Sequence, residues 1–469
     1  MHETLETMIP ATVHTYVDVF AGCGGLSLGL HRAGWTGLFA VEKDLFAFQT
    51  LQANFLQKDS RYGFEWPTWL PQHQTTIEAL IADHREKLLD MRGTVTLMAG
   101  GPPCQGFSSA GRRFADDPRN TMIERYLELV EILQPKLLLL ENVRGFTLDF
   151  KARSGSSGAV RENAAAQLVR RLSPDYEVES KVLRASDFGV PQNRPRFILV
   201  ATRREAGLRP GILDGLEFAT DRVLRRHGLS RLTSAADAIS DLEIGRNDVV
   251  ACQDSPGFQA IGYVAPLTPF QRAMRDGDDR PPSDTRLARH SIEVRTRFAD
   301  IIEACRVEGR GARQLNTELR ARFNIGKLTT RVLDPNLPSP TVTSMPEDLL
   351  HYSEPRTLSV RENARLQTFP DWFCFKGKYT TGGHLRRTEV PRFTQVANAV
   401  PPIFAEILGE ALINHVTMPQ VCHAPSDVTA STASATKLSI AAMSSFSSTA
   451  HVASAISPSK EKRLLRLSE

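Results

Sequence analysis

The chain has 469 residues, 41% of them hydrophobic and 23% charged, which suits a cored globular protein and excludes the collagen-like, wholly disordered and disulfide-stapled miniature classes. Its six cysteines (Cys23, Cys104, Cys252, Cys305, Cys374 and Cys422) form no CxxC pair and no zinc-type spacing with histidine, so a reducing compartment and no metal site are expected. Formal net charge is only +4, and residues 203–331, with 22 basic and 18 acidic side chains, hold the whole excess, nearly all of the cations being arginine.

In chain order, the first ten residues carry two glutamates and no apolar core. No run approaches the roughly 18 apolar residues of a membrane span, so neither secretion nor insertion is expected. Short apolar segments then alternate with helical patterns over the first 200 residues. Strands are predicted at 15–20, 38–42, 95–99, 136–140 and 196–201, and helices at 25–33, 120–133 and 164–172. That rhythm predicts an α/β fold, a doubly wound parallel sheet with helices on both faces. Residues 203–335 lose the rhythm and become rich in Arg, Asp and Pro, as expected of a second, smaller domain of mixed structure. The first body, 12–202, is expected to be completed by 345–415, which returns to it. Residues 418–469 are rich in Ser and Ala and too poor in apolar side chains to offset their ordering entropy, so a disordered tail is expected.

Cys104 is the most informative residue. It lies in Gly100-Gly101-Pro102-Pro103-Cys104-Gln105-Gly106-Phe107-Ser108, directly after a predicted strand. A thiol at the mouth of a strand, on a loop stiffened by two prolines, is placed like a nucleophile, although a packed structural thiol fits the local context equally. The run Asp18-Val19-Phe20-Ala21-Gly22-Cys23-Gly24-Gly25 closes the first strand and opens the first helix, where free backbone N–H groups can meet a ligand. Glu42 ends the second strand about twenty residues further on, where an acid can accept from ribose hydroxyls. The glycine pattern is neither GxGxxG nor a P-loop, which speaks against dinucleotide and NTPase chemistry.

With Glu141-Asn142-Val143 and Gln192-Asn193-Arg194-Pro195-Arg196, these elements resemble the DNA (cytosine-5)-methyltransferases, which use S-adenosylmethionine. The resemblance continues through the run from Ser359 to Pro370 (SVRENARLQTFP) and Gln395-Val396-Ala397-Asn398-Ala399-Val400-Pro401-Pro402, so it covers roughly residues 15–410. It implies a Rossmann-like methyltransferase sheet with 203–335 as the target-recognition domain. It further implies that the Cys104 thiolate adds to carbon 6 of cytosine, that Glu141 protonates or hydrogen-bonds ring N3, that Arg194 contacts the base near O2, and that Arg196 supports the site. Gln192 positions the loop. Phe20, Gly22, Gly24, Gly25, Glu42, Pro102, Asn398 and Val400 match the cofactor-binding positions. Taken singly, Glu141 would suit a cap or an ion pair, and the two arginines a solvated surface. Their joint order makes them read as catalytic. Ser359 and Glu362 have capping-box spacing, so that helix reads as scaffold.

This chain departs from the family where many relatives carry an adenine-contacting aspartate. The counterpart here is the Thr76–Glu78 region, and Ala397 replaces the usual glycine before Asn398. The implied substrate is double-stranded DNA with the target cytosine rotated out of the stack. The enzyme is expected to be monomeric and to work in the bacterial cytoplasm at the nucleoid, in a restriction-modification setting. Two alternatives stay open at this point: a tRNA cytosine-5 methyltransferase, whose typical Cys-Phe-Thr tripeptide this chain lacks, and a catalytically silent DNA-binding adaptor.

Overall fold

β1 (Thr15–Val19) leads through a tight turn into α1 (Gly25–Arg32), and β2 (Thr36–Val41) follows, close to the expected positions. The computed structural model describes residues 13–103, 121–148, 163–383, 385 and 388–417. Next come α2 (Leu45–Phe55), α3 (Ile77–Asp90), β3 (Leu97–Gly100), α4 (Thr121–Leu133), β4 (Leu137–Val143) and α5 (Ala164–Leu172). The chain continues with β5 (Tyr176–Arg184), the two-residue β6 (Gln192–Asn193), β7 (Pro195–Arg203) and α6 (Leu216–His227). The expected tail, 418–469, lies outside the described residues.

Six strands form one sheet in the order β2-β1-β3-β4-β7-β5. The first four run parallel, but β7 is antiparallel to both β4 and β5. The sheet is therefore mixed, which corrects the expectation of an all-parallel one. The reason is the connection: residues 185–194, a 3₁₀ turn and the two-residue β6, join β5 to β7 without a crossover helix, and only an antiparallel pair is closed that way. β5 was not expected at all, because as the edge strand it turns Glu177, Lys181 and Val182 to solvent and lacks a buried run.

Period-two alternation places the core on both faces of the sheet. Leu138 and Leu140 of β4 pack with Leu80 of α3, Leu129 of α4 and Leu168 of α5. Leu137 and Leu139 pack on the other side with Leu30 of α1, Val223 of α6 and Phe404 of the closing helix Pro402–Thr417. Burial on both faces is why β4 begins as four consecutive leucines. The stretch Arg392–Thr417 is long and apolar enough to cross a membrane, but 83% of its most apolar window is buried inside the fold. It is a core element.

Ile212, Leu216, Ala219, Val223 and Leu224 thus belong to the main core, although residues from 203 onward read as the second domain in the sequence. Ala235–Ile239 likewise packs with the returning segment around Val360, Phe369 and Val396. A separate small core forms further on, where Ile301, Cys305, Leu315, Leu319 and Phe323 meet Val332 and Leu350. Buried arginines of the returning segment tie the two parts together. Arg361 reaches Ser283 O at 2.9 Å and Asp284 at 3.4 Å. Arg365 grips Asp371 through two 2.6 Å hydrogen bonds and Asp241 at 3.2 Å. Helix Val360–Leu366 starts with the expected capping box between Ser359 and Glu362.

Candidate active site

Glu141 and Asn142 sit inside β4 rather than after it, opposite Ile198 and Phe197 of β7. Arg196 pairs with Val143, two residues along β7 from Ile198, and so projects from the same sheet face as Glu141. Both side chains are buried, and Arg196 Nε lies 2.7 Å from Glu141 Oε1. The approach is off the hydrogen-bond direction, so Oε1 has no hydrogen-bond donor among the described residues. A buried carboxylate oxygen with spare acceptor capacity, beside a fixed guanidinium, is equipped to meet a polar ring edge.

The loop after β3 begins against this pair. A Cβ on Gly101 would stand 3.1 Å from the Glu141 carbonyl oxygen, and Asn142 Nδ2 donates to the Pro102 carbonyl at 3.0 Å. Cys104 lies outside the described residues, two positions beyond this anchor.

Arg194 points elsewhere. Its Nη2 donates to the carbonyls of Ala397 at 2.8 Å and Ala399 at 3.1 Å. It therefore grips the segment that carries Asn398, and the structure brings Arg196, not Arg194, to Glu141. Arg194 lies between β6 and β7, outside either strand, so the alternation that aims Arg196 at Glu141 does not set its direction. Gln192 works beside Arg194. Its Nε2 donates to Gln367 Oε1 at 2.8 Å and its Oε1 accepts from Val342 N–H at 3.0 Å, while Gln367 Nε2 donates to the Val396 carbonyl at 2.7 Å. Gln367 is the side chain that sequence reading left without a role. The polar run Arg361-Glu362-Asn363-Ala364-Arg365 just before it left its amide without a distinguishing signal.

The other candidate positions gather around β1 and α1. Phe20 turns the chain with φ +63° and Gly22 with φ +57°, and space in front of Gly22 is open for 4 Å. Gly24, at φ +93°, precedes α1 with no side chain capping the helix. A Cβ at Gly25 would come within 2.4 Å of the Val400 carbonyl oxygen, so the returning segment lies directly on the turn. Asn398, between these anchors, is exposed. The Glu42 carboxylate accepts from Gly22 N–H at 2.9 Å and from Asp44 N–H at 2.7 Å, and burial pushes its pKa up despite these donors. Each of its oxygens keeps a lone pair for a hydroxyl. Thr75 N–H donates to the Glu42 carbonyl at 2.8 Å, which brings the start of α3 beside the acid. Thr76 itself caps α3, accepting from Ala79 N–H at 3.1 Å.

Asp18, unassigned from sequence, is 1% exposed. Its Oδ2 accepts from Ser27 Oγ at 2.5 Å, while Oδ1 has no partner among the described residues. Burial, the dominant influence, raises its pKa to about 7.

Residues 14–414 match the family of C-5 cytosine-specific DNA methylases. The chain belongs to that family. Among curated relatives it is 31% identical to the type II methyltransferase M.DdeI of Desulfomicrobium norvegicum, over 84% of this chain and 88% of that one. It is also 31% identical to M1.HphI of Haemophilus parahaemolyticus, over 85% and 86%. A crystal structure assigned as a prophage-encoded DNA modification methyltransferase from E. coli superposes with a TM-score of 0.59 at 25% identity, covering 86% of this chain and all of the other. The protein is accordingly a DNA (cytosine-5-)-methyltransferase with the mixed sheet of that family, which closes the tRNA and silent-adaptor alternatives.

Proposed function

We propose that this cytosine methylase acts on duplex DNA from which the target base has been rotated into the space between Glu141, Arg196 and the loop that starts at Pro102. The observation that carries the reading is the buried Arg196–Glu141 contact at 2.7 Å, against which the loop after β3 begins at Gly101. Cys104 adds as thiolate to carbon 6, with Glu141 holding a proton or hydrogen bond at N3, so the electron pair displaced into the ring makes carbon 5 nucleophilic. Arg196 faces the ring beside Glu141 and stabilises charge on its oxygen. Arg194 is a positioning residue for Asn398. After carbon 5 has been methylated, loss of its proton returns the electron pair to the ring and expels the thiolate.

Glu42, the turn from Phe20 to Gly25, Pro102, Asn398 and Val400 fit S-adenosylmethionine. The acid has spare acceptors for ribose hydroxyls, and the space in front of Gly22 is open. When bound, that cofactor supplies an electrophilic methyl group on a sulfonium. Residues from about 243 to 335, which carry Ile301, Cys305, Leu315, Leu319 and Phe323 of the small separate core, form the target-recognition domain. The relatives M.DdeI and M1.HphI support a type II, restriction-modification setting in the bacterial cytoplasm. Every group the chemistry needs is carried by one chain, so a monomer suffices.

The test is to incubate the protein with labelled cofactor and DNA containing 5-fluorocytosine, whose carbon 5 cannot release a proton. A denaturant-stable protein–DNA adduct should form and should be absent with Cys104→Ser. An adduct that persists in that variant would overturn the assignment of the nucleophile.

A further inference from the structure

A cleft of about 1120 Å³ opens between the small core and the main body. One wall is the stretch after helix Ile292–Val307, and the other carries Arg184, Asn193 and Thr341. Arg184 pairs with Pro195 across β5 and β7, one residue from Arg196, so the cleft borders the sheet end that bears the Glu141 pair. Five arginines line it against a single acid, Asp334. Two of the five are committed to the protein. Arg306 pairs with Glu303, while Arg310 reaches Glu308 at 3.3 Å and donates to the Gln314 carbonyl at 2.6 Å. The latter contacts, with Gly309 and Gly311 both at φ +56°, pin the loop that follows the helix. At its tip Arg313 and Gln314 are exposed, and neither side chain has a hydrogen-bond or ion-pair partner among the described residues. The same holds for Arg184 on the opposite wall.

We infer that Arg313 reads a guanine of the recognition sequence and that Arg184 holds a backbone phosphate across the cleft. This rests on the reading of residues 243–335 as the recognition domain and assigns its reader. An uncommitted guanidinium presents a planar fork that matches guanine O6 and N7, and an adjacent glutamine matches adenine N6 and N7. A loop already fixed by Arg310 loses little further entropy on binding. Arg184 stands on a strand beside the extruded base, where the flanking sugar-phosphate chain must pass, and a single cation there serves position rather than sequence.

The experiment is methylation of a randomised duplex library by the parent protein, by Arg313→Ala and by Arg184→Ala, read by bisulfite sequencing, with DNA affinity measured against salt. The parent should methylate a motif that specifies a G·C pair besides that of the target cytosine. Arg313→Ala should lose preference at that one position by about ten- to a hundredfold while keeping the others. Arg184→Ala should weaken all sites alike and lower the salt slope by about one contact. An unchanged motif in Arg313→Ala, a uniform loss across the motif in that variant, or a parent motif with no specified G·C pair besides that of the target cytosine would each overturn the assignment while leaving the methyltransferase reading intact. A parent protein that methylates no DNA would sink both.

Discussion

Arg194 and Arg196 are two residues apart and chemically identical, yet only the second meets Glu141, so exchanging each should give different phenotypes. Arg194 satisfies two buried carbonyls, at 397 and 399. Replacing it with methionine should lower stability by about 3 kcal/mol and weaken cofactor binding through the loosened Asn398 segment. Chemical denaturation and calorimetric titration read these two effects. Glu141→Gln keeps the shape and removes the acid. It should cut methyl transfer by at least about a hundredfold with cofactor affinity unchanged, and single-turnover kinetics distinguishes that outcome from a loss of binding. Asp18 adds a pH dependence. Its folded pKa of about 7 stands above the 3.8 of an ordinary aspartate, so its contribution is fully present below about pH 4 and is lost as pH rises through 7. In that window it lowers stability by up to about 1.4 kcal/mol per pH unit. Asp18→Asn should flatten the slope of unfolding free energy between pH 5 and 7 relative to the parent, and an identical slope would show that this carboxyl does not titrate there.

Among the elements, the packing of α1 on helix Pro402–Thr417 joins the start of the chain to its returning end. A Cβ on Gly29 would fall 2.4 Å from Ala405 Cβ and 2.6 Å from the Pro402 carbonyl oxygen. Gly29→Ala must push the helices apart, and a loss of about 1–3 kcal/mol is expected in urea unfolding even though alanine favours a helix. That the two helices meet was not readable from either pattern alone. β1, β3, β4 and α5 were legible because burial on both faces writes a continuous apolar run for a strand and spaced apolar positions for a helix. β5 was illegible because an edge strand lets Glu177 and Lys181 face water. The direction of β7 was illegible because an apolar run carries no polarity. The same limit applied at the site. The motif order singled out Glu141 and both arginines, but which of them meets the acid depends on where β7 begins, and Arg194 falls just before the pairing with β4 that a single strand does not record.

At the scale of the whole molecule, buried ion pairs decide where one part can be exchanged for another. Arg361, Arg365 and Arg392 of the returning segment bind Asp284, Asp241 and, at 2.8 Å for Arg392, Asp284 again. All of these acids belong to the 203–335 stretch. Leaving a buried arginine without its acid costs about 3–5 kcal/mol, comparable to the stability of an average domain. A replacement spanning 203–335 would remove these acids and also Ile212, Leu216 and Val223 from the main core, so it should yield insoluble or unfolded protein. A replacement limited to 243–335 that retains Asp254, Phe270, Met274, Arg275, Asp284 and Leu333 keeps the core helix α6, the shared core and the Arg361 and Arg392 anchors. It should fold with a thermal midpoint near that of the parent and should methylate the sequence preferred by the donor of the segment. Retention of the original sequence preference by a folded chimera of the shorter kind would place recognition outside these residues. A well-folded chimera of the longer kind would show that the apolar face of α6 is not needed to close the sheet.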